Sequence, residues 1–460
     1  MSYVRSIQGF SKDIKLYLIY TLVANVSIGV FALVFNLYLL QIGLRENFIG
    51  AFNAIHTMAI AGTALSMGWM LNRYGVWKCV TFGTAVFILA SGTLTIVTNP
   101  AILLGLAVFY GLATAFVFTP VMPFIVELTR SRQRAEVAAL VFSLTSISTT
   151  IGSLIGGWMP RLFADSFGFD RPSAMAFRLT LILGLVIAAF GLVPMAKMST
   201  QRKRNKPADS AAQATQAGLP ELPPGVTRRH MGVFILVGGL MSLGAGAVFP
   251  FYNVFLANIG ASAGQIGLIF AGGWTLAAVV GLAAPAMARK LGSQMAVTVV
   301  RLVPIPFYIL LIFQPALGVA IFVHWLRISS VSLGWPIDST YISEVLPAKA
   351  RTAVFGYRSA AWNVGFSLSS LAAGASIVRY GYGPSFAAYA FFMTAAMSLF
   401  YLYFSRISSP AAIPDDVPAA PATTSPGEAG DDPHSVVGRS ATEVKHVNSP
   451  PLAPDDKDWV

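Results

Sequence analysis

The chain has 460 residues, of which 55% are hydrophobic and only 11% charged, with a mean hydropathy of +0.67. So little charge cannot cover a water-facing surface, for which soluble domains use about 25% charged residues. The single cysteine, Cys79, excludes an internal disulfide framework.

In chain order, Arg5, Lys12 and Lys15 precede a long apolar run that has no small-residue cleavage site. This predicts a retained first span rather than a signal peptide. Apolar stretches between charged or Gly/Pro breaks predict twelve spans, near 14–41, 47–71, 77–98, 101–127, 136–163 and 174–197, then 231–257, 265–288, 293–314, 316–345, 351–378 and 383–405. Many reach the ~20 residues that a helix needs to cross a bilayer core. The fold class is thus an all-α membrane protein.

The stretch 198–230 is polar, proline-containing and basic at both ends, and reads as a cytoplasmic linker between two six-helix bundles, 14–197 and 231–405. Residues 1–13 form a cytoplasmic N-terminus. Residues 406–460 hold nine of the nineteen acids and few large apolar residues, which predicts a disordered cytoplasmic tail. Lysine and arginine gather in the N-terminus and near 72–78, 128–135, 197–230, 289–290 and 346–351. By the positive-inside rule both termini lie in the cytoplasm, with the protein in the cytoplasmic (inner) membrane. The basic linker is read as a topology determinant, and no nucleic acid is expected as a partner.

The two halves repeat. "FNLYLLQIG" at 35–43 returns as "YNVFLANIG" at 252–260, an offset of 217 residues. At that offset Asn36 matches Asn253, Gly43 matches Gly260, Gly50 matches Gly267 and Gly75 matches Gly292. Glu127 likewise matches Glu344, Arg134 matches Arg351 and Gly157 matches Gly374. A parallel repeat of six spans, with a site between the halves, is a transporter plan.

The chain here resembles the major facilitator superfamily (MFS) over roughly residues 10–405. The local carrier is "GWMLNRYGVWK" at 68–78, in which Gly68, Arg73, Gly75 and Lys78 fit the family's loop signature, while Asn72 replaces its usual Asp and Trp77 takes a basic position. The resemblance implies a cytoplasmic gate made of Gly68, Asn72, Arg73, Gly75 and Lys78. Glu127, Arg134, Glu344 and Arg351 join it from "ELTRSRQRAE" and "EVLPAKARTA". Asn72 cannot form the full charge pair, so a weaker lock is expected. "GSLIGG" at 152–157 resembles the helix 5 signature of the family's drug/proton antiporters, with Ser153 in place of its Pro; small residues at this spacing also serve helix packing.

Ionisable residues inside spans are costly and mark candidate sites. His324, Arg327 and Asp338 fall on one face of the tenth span. Asp338 and Arg358 are equally far from the hairpin at 348, so antiparallel helices place both ~15 Å deep and within reach of one another. Arg327, ~16 Å farther along, is too far to share that acid and suits a substrate anion. The resemblance places Arg301, on the ninth span, at the periphery, where it would snorkel or pack structurally. Asn36 and Asn253 are candidate gate or cavity residues, His56 is a candidate titrating group, and Trp274, Trp335 and Trp362 are a candidate aromatic wall. In the first half Arg327, Asp338 and Arg358 are matched by Tyr110, Val121 and Val141, so the charged contacts are expected from the second half.

The expectation is a secondary active transporter of small organic molecules, not an enzyme, working by alternating access without a cofactor or metal. Asp338 is the first candidate for proton coupling. Efflux of amphipathic compounds and transport of organic anions both stay open. A non-transporting membrane sensor and a lipid translocator are the rival readings. A monomer is expected.

Overall fold

Twelve helices long and apolar enough to cross a membrane make up this chain in a computed structural model that describes residues 10–129, 131–170, 173–198 and 223–406. Most of the expected linker and nearly all of the expected tail lie outside the described residues. The first half holds α1 (Lys12–Gln41), α2 (Glu46–Tyr74), α3 (Val76–Ile96), α4 (Pro100–Phe118, resuming as Val121–Leu128), α5 (Ser131–Phe167) and α6 (Ala174–Ala196). The second holds α7 (Pro224–Val248, then a 3-10 turn Phe249–Phe251 and Tyr252–Asn258) and α8 (Ala263–Gly281, then Ala284–Leu291). It continues with α9 (Ser293–Leu302, then Ile305–Phe313), α10 (Leu317–Val345), α11 (Ala348–Tyr380) and α12 (Gly383–Phe404). No strand occurs among the described residues.

Helix α7 starts at Pro224, seven residues before the apolar run that marks its span. Hydropathy sees only the part that lipid or protein covers, whereas Pro in the first turn starts the helix in its polar flank. Starts are capped locally: Asn99 Oδ1 accepts from the Ala101 and Ile102 amides, and Ser262 and Gln265 form a reciprocal capping box. The repeated glycines Gly43 and Gly260 end their helices at φ of 87° and 94°, a left-handed conformation that a side chain would strain.

Breaks in α4, α7 and α9 fall at Pro120, Pro250 and Pro304, where the ring removes a helical donor. In α7 the loss is compensated. Pro250 cannot donate to the Gly246 carbonyl, and the Ser370 hydroxyl of α11 donates to that oxygen instead, at 3.1 Å.

Glycine sets how closely the helices approach. Gly29 of α1 meets Thr149 and Gly152 of α5, and its repeat mate Gly246 of α7 meets Phe366 of α11. Between halves, Gly50 of α2 lies against Ser370 and Gly374 of α11, while Gly267 of α8 lies against Ser153 and Gly157 of α5. These two contacts are the same contact under the 217-residue repeat. The "GSLIGG" run is thereby accounted for as packing: Gly152 and Gly156 touch α1, and Gly157 touches α8.

Candidate functional site

The halves are joined at the helix ends remote from the chain termini. Asn36 Nδ2 donates to the Pro250 carbonyl at 2.7 Å, and Asn253 Nδ2 donates to the Leu33 carbonyl at 2.9 Å. Leu33 and Pro250 are themselves repeat mates, so one bond is the image of the other. Each asparagine reaches across the seam to the other half. On α11, Ser367 Oγ donates to the Ala54 carbonyl of α2 at 2.8 Å.

A further polar contact at this end was not singled out in the sequence. Glu46, 7% exposed in the first turn of α2, accepts from the Tyr382 hydroxyl (2.9 Å) and the Asn258 amide (3.1 Å), both in the second half. Burial, and then the charge of Glu46, push the Tyr382 hydroxyl well above its ordinary pKa, so it stays a donor at any working pH. Glu46→Ala is expected to leave both donors without an acceptor and to shift the protein toward opening at this end. Faster exchange of the Asn258 region in hydrogen–deuterium exchange checks it. The signal in the sequence was present but weak, because a Glu at a helix start reads as a dipole partner before it reads as a clasp.

At the opposite end, Arg351, Glu344 and Arg73 of the expected gate make contacts within their own halves. Arg351 donates to the Leu346 and Ser343 carbonyls, closing the end of α10. Glu344 accepts from Ser293 at 2.8 Å. Arg73 lies over Trp69 and Tyr74 at 6.0 and 5.9 Å, near exposed Gly68, Asn72 and Lys78, and Gly75 makes the turn into α3. Trp77, in the motif's basic position, donates to the Met195 carbonyl and ties α3 to α6. Arg134 is half-buried with its Nε unpartnered, and Glu127 is exposed.

The interior of the second half is cationic. Arg358 of α11 donates to Asp338 of α10, and both side chains are nearly buried. Gly238 of α7 makes room for the Arg358 stem, since a Cβ there would stand 2.7 Å from its Cγ. Arg327, 5% exposed, lies 4.1 Å from the centre of the Phe249 ring and 5.6 Å from that of Tyr252. Its Nη2 lies 3.3 Å from His324 Nδ1. Because guanidinium only donates, Nδ1 must accept, which assigns His324 as the neutral Nε2–H tautomer.

Arg301 packs, as one of its two expected roles had it, but not at the periphery where the resemblance placed it. It is 4% exposed and packs inside the half-bundle, with Gly334 of α10 against its guanidinium, where an added Cβ would stand 3.2 Å away. An inward-turned α9 face brings it within electrostatic reach of Asp338, Arg358 and Tyr389. The Nε atoms of Arg301 and Arg327 and the Tyr308 hydroxyl are buried without partners. Three guanidiniums thus share an interior with one carboxylate, already taken by Arg358. Trp335 and Trp362 meet at 6.3 Å between ring centres, whereas Trp274 is half-buried on α8 and has no ring contact with either.

Around Tyr110 the first half presents a neutral interior. His56 of α2 stands 3.3 Å from Thr114 Oγ1 and 4.8 Å from the Tyr110 ring. Thr114 gives its own proton to the Tyr110 carbonyl, so His56 Nε2 is the donor. Phe31, Phe52 and Phe87 complete an aromatic cluster around Tyr110, the repeat mate of Arg327.

Residues 17–331 match a family model described as the Major Facilitator Superfamily. No curated protein matches the sequence. Among solved structures, the D-xylose–proton symporter is similar over 84% of this chain and 97% of its own (TM-score 0.64, 14% identity). The nucleoside transporter NupG is similar over 87% and 100% (0.61, 13%). A bacterial homolog of the human lysosomal transporter Spinster, inward-facing and occupied, is similar over 85% and 96% (0.63, 13%). At these identities the likeness is one of fold.

Proposed function

Since this chain belongs to the major facilitator superfamily, we propose that it is a secondary active transporter of small organic anions, driven by protons and alternating between two states of its paired halves. The observation that carries this reading is the surplus of buried guanidinium in the second half. Arginine stays charged at all working pH, and a buried charge without a partner is costly. Arg301 and Arg327 have donors to spare and no carboxylate bound, which suits an anion that arrives and leaves.

Asp338 is the proton carrier in this reading. It faces Arg358 from α11 and Arg301 from α9. Neutralising it would release Arg358 and add to the positive field in which the substrate binds, so proton and anion would favour one another's binding. With both termini in the cytoplasm, the joined end is the outer one. Efflux of amphipathic compounds is the second reading, favoured by the Trp335–Trp362 pair. Its other support, the "GSLIGG" run, has a packing role.

A thermal-shift screen of the purified protein tests the class. Organic anions are expected to raise the melting temperature, with ~2.7 kcal/mol of stabilisation at a hundred times Kd, and Arg327→Ala to weaken the response. Lipophilic cations stabilising wild type and Arg327→Ala alike would instead support efflux. Anion binding without uptake into proteoliposomes would point to a sensor.

A further inference from the structure

Resting on the anion reading, we infer that Arg301 is the seat of a substrate carboxylate, at the floor of a small pocket entered between Trp335 and Trp362. The pocket measures about 30 Å³ and is lined by Phe249, Arg301, Ser330, Trp335, Trp362 and Tyr389, with two aliphatic neighbours. Arg301 is the one charged side chain that lines it. A carboxylate is the planar anion that a guanidinium holds through two parallel N–H···O bonds. The charge is in place, because Arg301 is 4% exposed, its Nε has no partner, and among the described residues no side chain accepts a hydrogen bond from it. Asp338 does not fill that role, as its carboxylate is bound by Arg358.

The seat is built. Gly334 lies flat against the guanidinium and leaves no room for a methyl group. Tyr389 is buried within electrostatic reach of both Arg301 and Arg327. Ser330 fixes α10 to α9 by donating to the Val300 carbonyl at 2.7 Å. The mouth is aromatic, and Trp335 is more than half exposed there, so the rest of the substrate is apolar or aromatic. The expected class is a monocarboxylate on an aromatic or branched apolar body. Arg327, roofed by Phe249, adds charge without touching the carboxylate.

The experiment is quenching of tryptophan fluorescence in the full-length protein in detergent, titrated with benzoate and phenylacetate. Benzamide and chloride are the comparison probes. Both carboxylates should quench at least tenfold more tightly than benzamide, and Trp362→Phe should remove most of the signal. Arg301→Met should weaken carboxylate binding on the order of 100-fold, as loss of a buried charged pair does, and Arg327→Met by less than tenfold. Where Arg301→Met is not monodisperse, Gly334→Ala serves in its place. It keeps the charge, crowds the guanidinium, and should still weaken binding at least fivefold. Carboxylates that bind wild type and both Arg301→Met and Gly334→Ala equally well would overturn this seat while leaving the anion reading intact. Benzamide binding as tightly as benzoate would show that charge is not what the pocket reads and would overturn the seat. No binding of any organic anion, by quenching or thermal shift, would overturn the anion reading itself. Quenching by chloride alone would make the pocket a halide site and overturn its substrate role.

Discussion

Replacing Asp338 with asparagine is expected to lower the melting temperature sharply and to abolish the response of transport to a pH gradient. Asp338 and Arg358 are both nearly buried, on neighbouring helices, and their pairing is the one described ion pair in the interior of the second half. Removing one member of such a pair costs ~3–5 kcal/mol, because the charge left behind is uncompensated. The cost should be unequal on the two sides. With asparagine at 338, Arg301 and Arg358 face one another with no anion between them. Arg358→Met, in contrast, leaves Asp338 within reach of Arg301, which can take over the carboxylate. Arg358→Met should therefore be the milder change by at least ~1 kcal/mol, and the double variant should recover part of what Asp338→Asn loses. Calorimetry on the four proteins measures this. Equal losses from the two single variants would mean that Arg301 does not share the acid. A variant at 338 that melts like wild type would mean that the pair is dispensable.

The halves of the fold were legible in the sequence because a repeat constrains two places at once. Asn36 and Asn253 align by simple register, and the structure shows why both persist at matching positions: each donates to a carbonyl that is the repeat mate of the other's acceptor. The meeting of Asp338 with Arg358 was legible from helical rise alone, since equal distances from a hairpin give equal depth. Arg301 was misplaced because the family plan fixes where a helix sits and not where one of its side chains turns. Hydropathy and helical phase say that a charge in a span turns from lipid, but they do not say whether it turns to a membrane surface or into the bundle. The decision rests with a glycine on another helix, Gly334, whose missing side chain opens the space. Gly238 does the same for Arg358. Glu46 was missed because its partners, Asn258 and Tyr382, lie far away in sequence and in the other half, and no periodicity links them. The loop motif at 68–78 announced the family better than it announced a lock, as its arginine rests on rings of its own helix.

Adding one methyl group at Gly50, or at Gly157, is expected to open the joined end of the seam. A Cβ at Gly50 would stand 2.4 Å from the Ser370 carbonyl oxygen, and one at Gly157 would stand 2.8 Å from the Ala263 oxygen and 2.9 Å from Gly267 Cα. These are backbone atoms, so no rotamer change relieves the contact, and whole helices must part. In a single rigid fold, such overpacking costs ~1–3 kcal/mol. Under the proposed alternation there is another way out, because a state open at this end would part α2 from α11 and α5 from α8. The same penalty then moves population between states, by about 5- to 150-fold. Ala54 of α2, 6% exposed at this seam beside Ser367, reports the change. With Cys79→Ser removing the one native thiol, Ala54→Cys should react with a maleimide at least about fivefold faster in either glycine variant, while transport falls. Gly62→Ala and Gly105→Ala are the controls, since nothing lies within 4 Å of a Cβ at either position. Because Gly50 and Gly157 belong to contacts that the repeat exchanges, their substitutions should act alike. A variant that loses stability with no gain in labelling would show that the seam is a fixed interface, and alternation would then need another hinge.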